Sequence, residues 1–331
     1  MRLSILMPRS TTNLSIALKD AIEQIRTSKK PIAVGQDCHD AIVQLYSLPD
    51  SVLFNDSDSS IDALLSSAQV LNNTVWEEER NLCMETALRV IDSTEMNQRR
   101  FRVKRFKLLI DLGQVYQRDS LASRALENYM KAESLYSSLA TSEREDLKAE
   151  YVSTCINIFN LLKSSNYADA IVYVEKAVRV MEGLEESIDT EDLFLMYEMM
   201  ATLYQYYMDS GHEELAAEYG KKTLQVCPLF SPGWNKDTLK DLAEFMLKLG
   251  EFQYSTERYE DAVQTYELFI RRFYDPQKAH SDVVNRAYYA ILSRMESMYT
   301  SLSRSADAER VKKTMISIEE KKNNTSVQTH Q

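Results

Sequence analysis

A chain of 331 residues can hold one large domain or two smaller ones, and 44% apolar with 27% charged residues excludes both a disordered and a membrane-embedded polypeptide. Seven glycines and six prolines, about 2% each against an ordinary ~7% and ~5%, leave too few turn-formers for a protein of strands and tight hairpins. Lys and Arg number 39 against 50 Asp and Glu, and the net charge of −11 makes the chain as a whole a poor ligand for polyanions. An all-α protein with long elements is expected. No stretch approaches the ~18 uninterrupted apolar residues of a membrane span. Residues 1–9, broken by Arg2 and Pro8, do not make a secretory signal, so a cytoplasmic or nuclear location is expected.

Residues 1–98 read as an irregular helical region. Residues 14–26 form an amphipathic run, 41–48 a short one, and 61–91 a helix pair broken near Asn72 and Asn73. Between them residues 50–60, rich in Asp and Ser, read as a polar loop. A basic cluster follows: Arg99, Arg100, Arg102, Lys104, Arg105 and Lys107. On a helix Phe106, Leu109 and Leu112 point inward, while Arg100, Lys104 and Lys107 make one exposed stripe with Asp111 next in line. Such a stripe offsets acidic neighbours, holds an acidic partner or binds RNA.

The next segment predicts a helical hairpin. Leu109, Leu112, Gly113, Tyr116, Ala125, Tyr129 and Ala132 fall at helical spacing on two stretches split near Asp119 and Ser120. Gly113 and Ala125 are small where two helices approach closely, and Leu112, Tyr116 and Tyr129 fill the space between them. Alanines in the same role recur at Ala170, Ala216, Ala262 and Ala308, at separations of 45, 46, 46 and 46. Parts of the pattern surround them: Tyr167 and Ala177, then Leu203 and Tyr207, then Leu249, Gly250, Tyr259 and Tyr266, then Met295 and Tyr299. Helix boundaries agree, with capping-box spacing from Ser142 to Glu145, a start at Asp189 and Thr190, and a stop at Gly211. Residues 227–234 are the one Pro- and Gly-rich interruption, and the polar tail 322–331 is expected to be disordered.

The spacing of Leu112, Gly113, Tyr116, Ala125, Tyr129 and Ala132 resembles the tetratricopeptide (TPR) repeat, and the resemblance extends over residues 101–320. A TPR unit has about 34 residues, so this chain carries about twelve more per unit, placed most simply as extra helical turns. Long-helix relatives such as SNAP-type adaptors and proteasome-lid-like subunits are similar in this respect. The resemblance implies an α-solenoid of five TPR-like hairpins over residues 99–321. It also implies that first helices line a concave groove, whose exposed positions would be Lys107, Ile110, Gln114, Phe159, Leu162, Gln205, Met208 and Tyr254. That mixture of amide and apolar groups suits an apolar or amphipathic helix or an extended segment of a protein partner. The Lys and Asn pattern with which some members grip a chaperone tail is missing, since Ile110, Gln114, Ile156, Glu198 and Thr202 stand in its place.

Catalytic and cofactor chemistry finds no foothold in the sequence. No two glycines lie closer than nine residues, which excludes a phosphate-cradling loop. His39, His212, His280 and His330 form no helical ligand pair, so no metal is expected. Cys38, Cys83, Cys155 and Cys227 form no CxxC pair and read as reduced, buried thiols. Runs such as Glu77, Glu78 and Glu79 read as a solvated face. The expected function is a non-enzymatic scaffold or adaptor without a cofactor, binding proteins in a multi-subunit complex. The alternative is an RNA- or acidic-membrane-associated helical repeat protein that uses residues 99–107.

Overall fold

The computed structural model describes residues 36–328 apart from 55–56, 73–75, 94–98, 183–189, 228–235 and 275–279, and the described residues contain no strand. The run at 14–26 and most of the interruption at 227–234 lie outside the described residues. Contacts divide the chain into two compact units, Met1–Met181 and Glu182–Gln331. The division falls within the run of hairpins rather than at residue 98.

The first unit begins with α1 (Gln36–Tyr46) and the short α2 (Asp50–Leu53). Two hairpins follow, α3 (Ser57–Leu71) with α4 (Glu77–Ser93) and α5 (Arg99–Arg118) with α6 (Ala122–Tyr136). The short α7 (Thr141–Asp146) then leads to a third, α8 (Lys148–Leu162) with α9 (Tyr167–Met181). The polar segment 50–60 is thus mainly helical rather than a loop: α2 occupies its start, and the Ser57 hydroxyl donates to the Phe54 carbonyl as α3 begins. Ser60 is 3% exposed, because the periodic apolar face of α3 starts at Ile61 and draws its neighbour inward. Only one half of a capping box forms, and it lies two residues earlier than the sequence spacing suggests, since Ala140 at the cap has no side-chain acceptor. Glu143 accepts from the Ala140 amide at 2.8 Å and so starts α7, while α8 begins afresh after Leu147.

The second unit has three hairpins: α10 (Thr190–Asp209) with α11 (Glu213–Val226), α12 (Lys236–Ser255) with α13 (Tyr259–Leu268), and α14 (Asp282–Ser301) with α15 (Ser305–Gln328). A π-helical turn, Phe269–Phe273, prolongs α13. It starts at buried Phe269, at the register position where earlier hairpins carry Ala132, Ala177 or Thr223. The first helices α5, α10, α12 and α14 have 20 residues each, which is where the long repeat accommodates its extra length. The helix α15 runs on to Gln328, into the tail expected to be disordered. Once a helix is seated, each further residue adds a hydrogen bond without a new nucleation cost.

The repeat register is visible as burial. Ala125, Ala170, Ala216 and Ala262 are fully buried and Ala308 is 9% exposed, each near the start of a second helix. Where α5 crosses α6, a Cβ on Gly113 would lie 2.5 Å from the Tyr129 ring, and one on Gly250 would lie 2.2 Å from the Tyr266 ring. In the α10/α11 hairpin the same two positions are exchanged: Tyr204 is on the first helix and Gly220 on the second. In α8/α9 both are of middle size, Ile158 and Val174. The summed volume at the crossing is kept while its source moves between helices, which a close-packed interior permits.

The register also continues upstream of residue 99. Leu64, Ala68, Met84 and Ala87 are buried 45 residues before Leu109, Gly113, Tyr129 and Ala132, so α3/α4 is built as a hairpin of the same kind. Arg80 takes the place of the alanine and is 4% exposed. Its guanidinium reaches Asp119 at 3.3 Å, in the turn of the next hairpin, and Asn81 donates to the same carboxylate at 3.0 Å. That large, charged residue at a tight crossing hid the hairpin from the sequence pattern.

Four hairpin turns share one closure. Ser120, Gly211, Glu257 and Ser303 have positive φ, and the next amide in each case donates five residues back, from Leu121 to Tyr116, His212 to Tyr207, Arg258 to Gln253 and Arg304 to Tyr299. This left-handed cap satisfies carbonyls at the end of the first helix. Only Gly211 occupies it without steric cost.

Candidate protein-interaction surface

In the first unit the basic cluster is tied to the hairpins on either side. Lys104 pairs with Asp62 of α3 at 3.0 Å, Arg105 with Asp92 of α4 at 2.7 Å, and Lys107 with Glu150 of α8 at 3.4 Å, while Arg102 donates to the Ser138 carbonyl at 3.3 Å. Lys107 thus has Glu150 as its ion-pair partner in place of the expected Asp111. The side chains of Arg99 and Arg100 lie outside the described residues. The described members form a cross-hairpin belt rather than a free stripe, because acidic residues of α3, α4 and α8 come within reach once the hairpins stack.

The groove residues divide by exposure. Lys107 and Gln114 are exposed, and Phe159, Leu162, Gln205, Met208 and Tyr254 are half-buried. Ile110 is 5% exposed and belongs to the core, a correction to its expected place on the surface. Lys163 lies 5.6 Å over the Phe159 ring, and Tyr254 meets Tyr259 edge-on at 5.3 Å. Leu162, Met208 and Tyr254 occupy one register position in α8, α10 and α12, each half-exposed, with Leu162 in the first unit and the other two in the second.

The first helices of the second unit carry a different charge pattern. Tyr197 and Tyr204 of α10 meet Phe245 of α12 edge-on at 5.6 and 5.5 Å, and the Tyr204 hydroxyl donates to the Lys248 carbonyl at 3.3 Å. Above this seam Glu198, Asp241 and Glu244 are exposed. Burial, reinforced by the charge of Asp241, holds the Glu198 carboxyl above its ordinary range. Glu251 pairs with Arg294 of α14 at 3.2 Å.

Other reactive groups are built into packing. Burial, together with Glu79 nearby, pushes the Cys83 thiol up to about 12, burial pushes Cys155 up to about 12 as well, and Cys227 is also raised, so all three buried thiols stay protonated and unreactive. The side chain of Cys38 lies outside the described residues. His39 stacks on Trp76 at 4.6 Å and approaches Glu79 at 3.3 Å, joining α1 to α4. Among the described residues no group of three His, Cys, Asp or Glu side chains is placed to hold a metal ion, and no helix is long and apolar enough to cross a membrane. A cleft of about 580 Å³ along α6 is lined by Arg105, Glu127, Met130, Lys131, Ser134, Leu135 and Ser138. Its one carboxylate, Glu127, is held below its ordinary range by a hydrogen bond from Lys131.

These features define an all-α protein of adjacent helical hairpins repeating every 45 or 46 residues. No protein-family model matches the chain, and no curated protein matches it in sequence. Three solved structures are similar to the chain at low TM-score. BtubC (BKLC) from P. vanneervenii is 10% identical, with 83% of this chain and 98% of that one covered at a TM-score of 0.38. The apo form of RapI is 12% identical, covering 94% of this chain and 99% of that one at 0.38. The apo form of the quorum sensor NprR from B. thuringiensis is 12% identical, covering 92% and 97% at 0.29.

Proposed function

We propose that the chain is a non-enzymatic, TPR-like scaffold of the cytoplasm or nucleus that holds protein partners on the outer faces of its first helices, within a multi-subunit complex. The observation that carries this reading is the recurring half-exposed apolar position of Leu162, Met208 and Tyr254. Core packing is met elsewhere on the same helices, by Ile158, Leu203 and Leu249. Apolar side chains left partly exposed at this register position suit a helix or extended segment laid on the first-helix face of either unit. The ion pairs of Lys104, Arg105 and Lys107 support a structural use of the basic cluster over phosphate binding.

The test is affinity purification from native extract, with and without nuclease, comparing the wild type with a Leu162→Ser/Met208→Ser/Tyr254→Ser variant whose helicity is checked by circular dichroism. A stoichiometric polypeptide that survives nuclease and is lost from the variant is expected. Recovery that is mostly nuclease-sensitive and unchanged by the variant would contradict the reading and favour the RNA-associated alternative.

A further inference from the structure

The two units differ in charge. Residues 1–181 hold 22 Lys and Arg against 24 Asp and Glu, whereas residues 182–331 hold 17 against 26. The second unit therefore carries −9 of the chain's −11. The helix α10 is the extreme case, with four acidic residues and no Lys or Arg in twenty positions. On the outer sides of α10 and α12, exposed Glu198, Asp241 and Glu244 stand toward the helix starts and half-buried Met208 and Tyr254 toward the ends, with Leu247 between them and Lys240 and exposed Lys248 interleaved on α12. None of these three carboxylates forms an ion pair with a described side chain, in contrast to the paired acids Asp62, Asp92 and Glu150 of the first unit. Glu198 and Asp241 act on each other unfavourably across the seam.

From this arrangement we propose that the α10/α12 face is a docking site for a basic amphipathic helix of a partner protein. The assignment rests on the scaffold reading and gives its partner a chemistry. Lys or Arg on one side of the incoming helix meets Glu198, Asp241 and Glu244, and relieves the repulsion between Glu198 and Asp241. The apolar side of the same helix covers Met208, Leu247 and Tyr254, and the groove between two packed helices accepts the ridge of a third. The apolar lane separates this face from a site that needs cations alone.

The test uses the full chain and a fluorescein-labelled Leu/Lys peptide of about 18 residues, five helical turns, patterned to be amphipathic. A Leu/Glu peptide of the same pattern and a Leu/Lys peptide scrambled to abolish the apolar face are the controls. Fluorescence anisotropy is expected to show binding of the patterned Leu/Lys peptide alone. The Glu198→Gln/Asp241→Asn/Glu244→Gln variant should weaken it at least about tenfold, and rising salt should do the same. Hydrogen exchange should show new protection over residues 190–209 and 236–255. Equal binding of either control peptide, an unchanged affinity in the variant, or protection confined to other helices would overturn the assignment. Those results leave the scaffold reading intact, whereas the absence of any polypeptide partner from native extract removes that reading itself.

Discussion

The α10/α12 seam of the second unit is closed by different means from the seams that flank α5 in the first, although each unit also holds the other kind of tie, a Tyr136–Tyr151 stack at 3.9 Å in the first and Glu251–Arg294 at 3.2 Å in the second. In the first, charged groups cross the seams: Arg80 reaches Asp119, Lys104 reaches Asp62, Lys107 reaches Glu150, and Lys176 of α9 reaches Glu133 of α6 at 2.8 Å. At the α10/α12 seam of the second, the rings of Tyr197, Tyr204 and Phe245 meet, and neighbouring Glu198 and Asp241 form no ion pair with a described side chain. One repeat can thus spend its charges on internal ties or leave them facing outward.

Substitutions at the seams break or sharpen that contrast. Phe245→Ala removes the ring on which two tyrosines of α10 rest and should cost about 3–5 kcal/mol in chemical denaturation; a loss below about 1 kcal/mol would mean that rings do not hold this seam. Asp119→Ala leaves the Arg80 guanidinium, 4% exposed, without its carboxylate, and about 3 kcal/mol should be lost. Stability unchanged by Asp119→Ala would remove the charge-tied description of the first unit. Gly250→Ala drives a Cβ into the Tyr266 ring and should cost about 1–3 kcal/mol through overpacking. Adding Tyr266→Val should recover part of that loss, as the Ile158 and Val174 pairing implies, and an additive double variant would refute the shared-volume account.

Alkali tests the buried phenols of both units. Tyr299 is fully buried and donates to Glu267 at 2.7 Å, and burial with that hydrogen bond pushes it up to about 12. A phenol raised in the folded state contributes stability that is complete below its ordinary value near 10 and is lost as pH rises toward 12. Tyrosinate absorbance should therefore lag behind free tyrosine and then rise together with loss of helical circular dichroism. Full titration near pH 10 with helicity retained would contradict the burial. The smallest expected effect is a gain: Glu257→Gly relieves a left-handed residue and should stabilise by about 1 kcal/mol, while Gly211→Ala should cost about the same. A thermal-shift pair with the opposite signs would show that the shared turn closure is misassigned.

Much of the fold is legible in the sequence because its alanines sit where helices cross, and a crossing tolerates few side chains. Ala125, Ala170, Ala216, Ala262 and Ala308 mark second helices for that reason. The α3/α4 hairpin escapes the pattern because Arg80 replaces the alanine and is accommodated by a carboxylate 39 residues away, a partner that periodicity cannot show. The candidate surface is less legible. Helical spacing puts Ile110 and Lys107 on one outward face, yet Ile110 is buried and Lys107 pairs with Glu150 of the next hairpin. The acidic face of α10 and α12 escapes it for the same cause, since Glu198 and Asp241 meet only after two hairpins stack. Its one linear trace is a twenty-residue helix without a basic residue.

The central claim, that first-helix faces hold protein partners, is tested most directly by site-specific photocross-linking in native extract. A benzophenone side chain at Thr202, on the α10 face, is compared with one at exposed Glu260, on the second helix α13. The account predicts a discrete, nuclease-resistant polypeptide adduct from position 202 and none from position 260. Adducts from position 260 alone, or a nucleic-acid adduct from position 202, would contradict it.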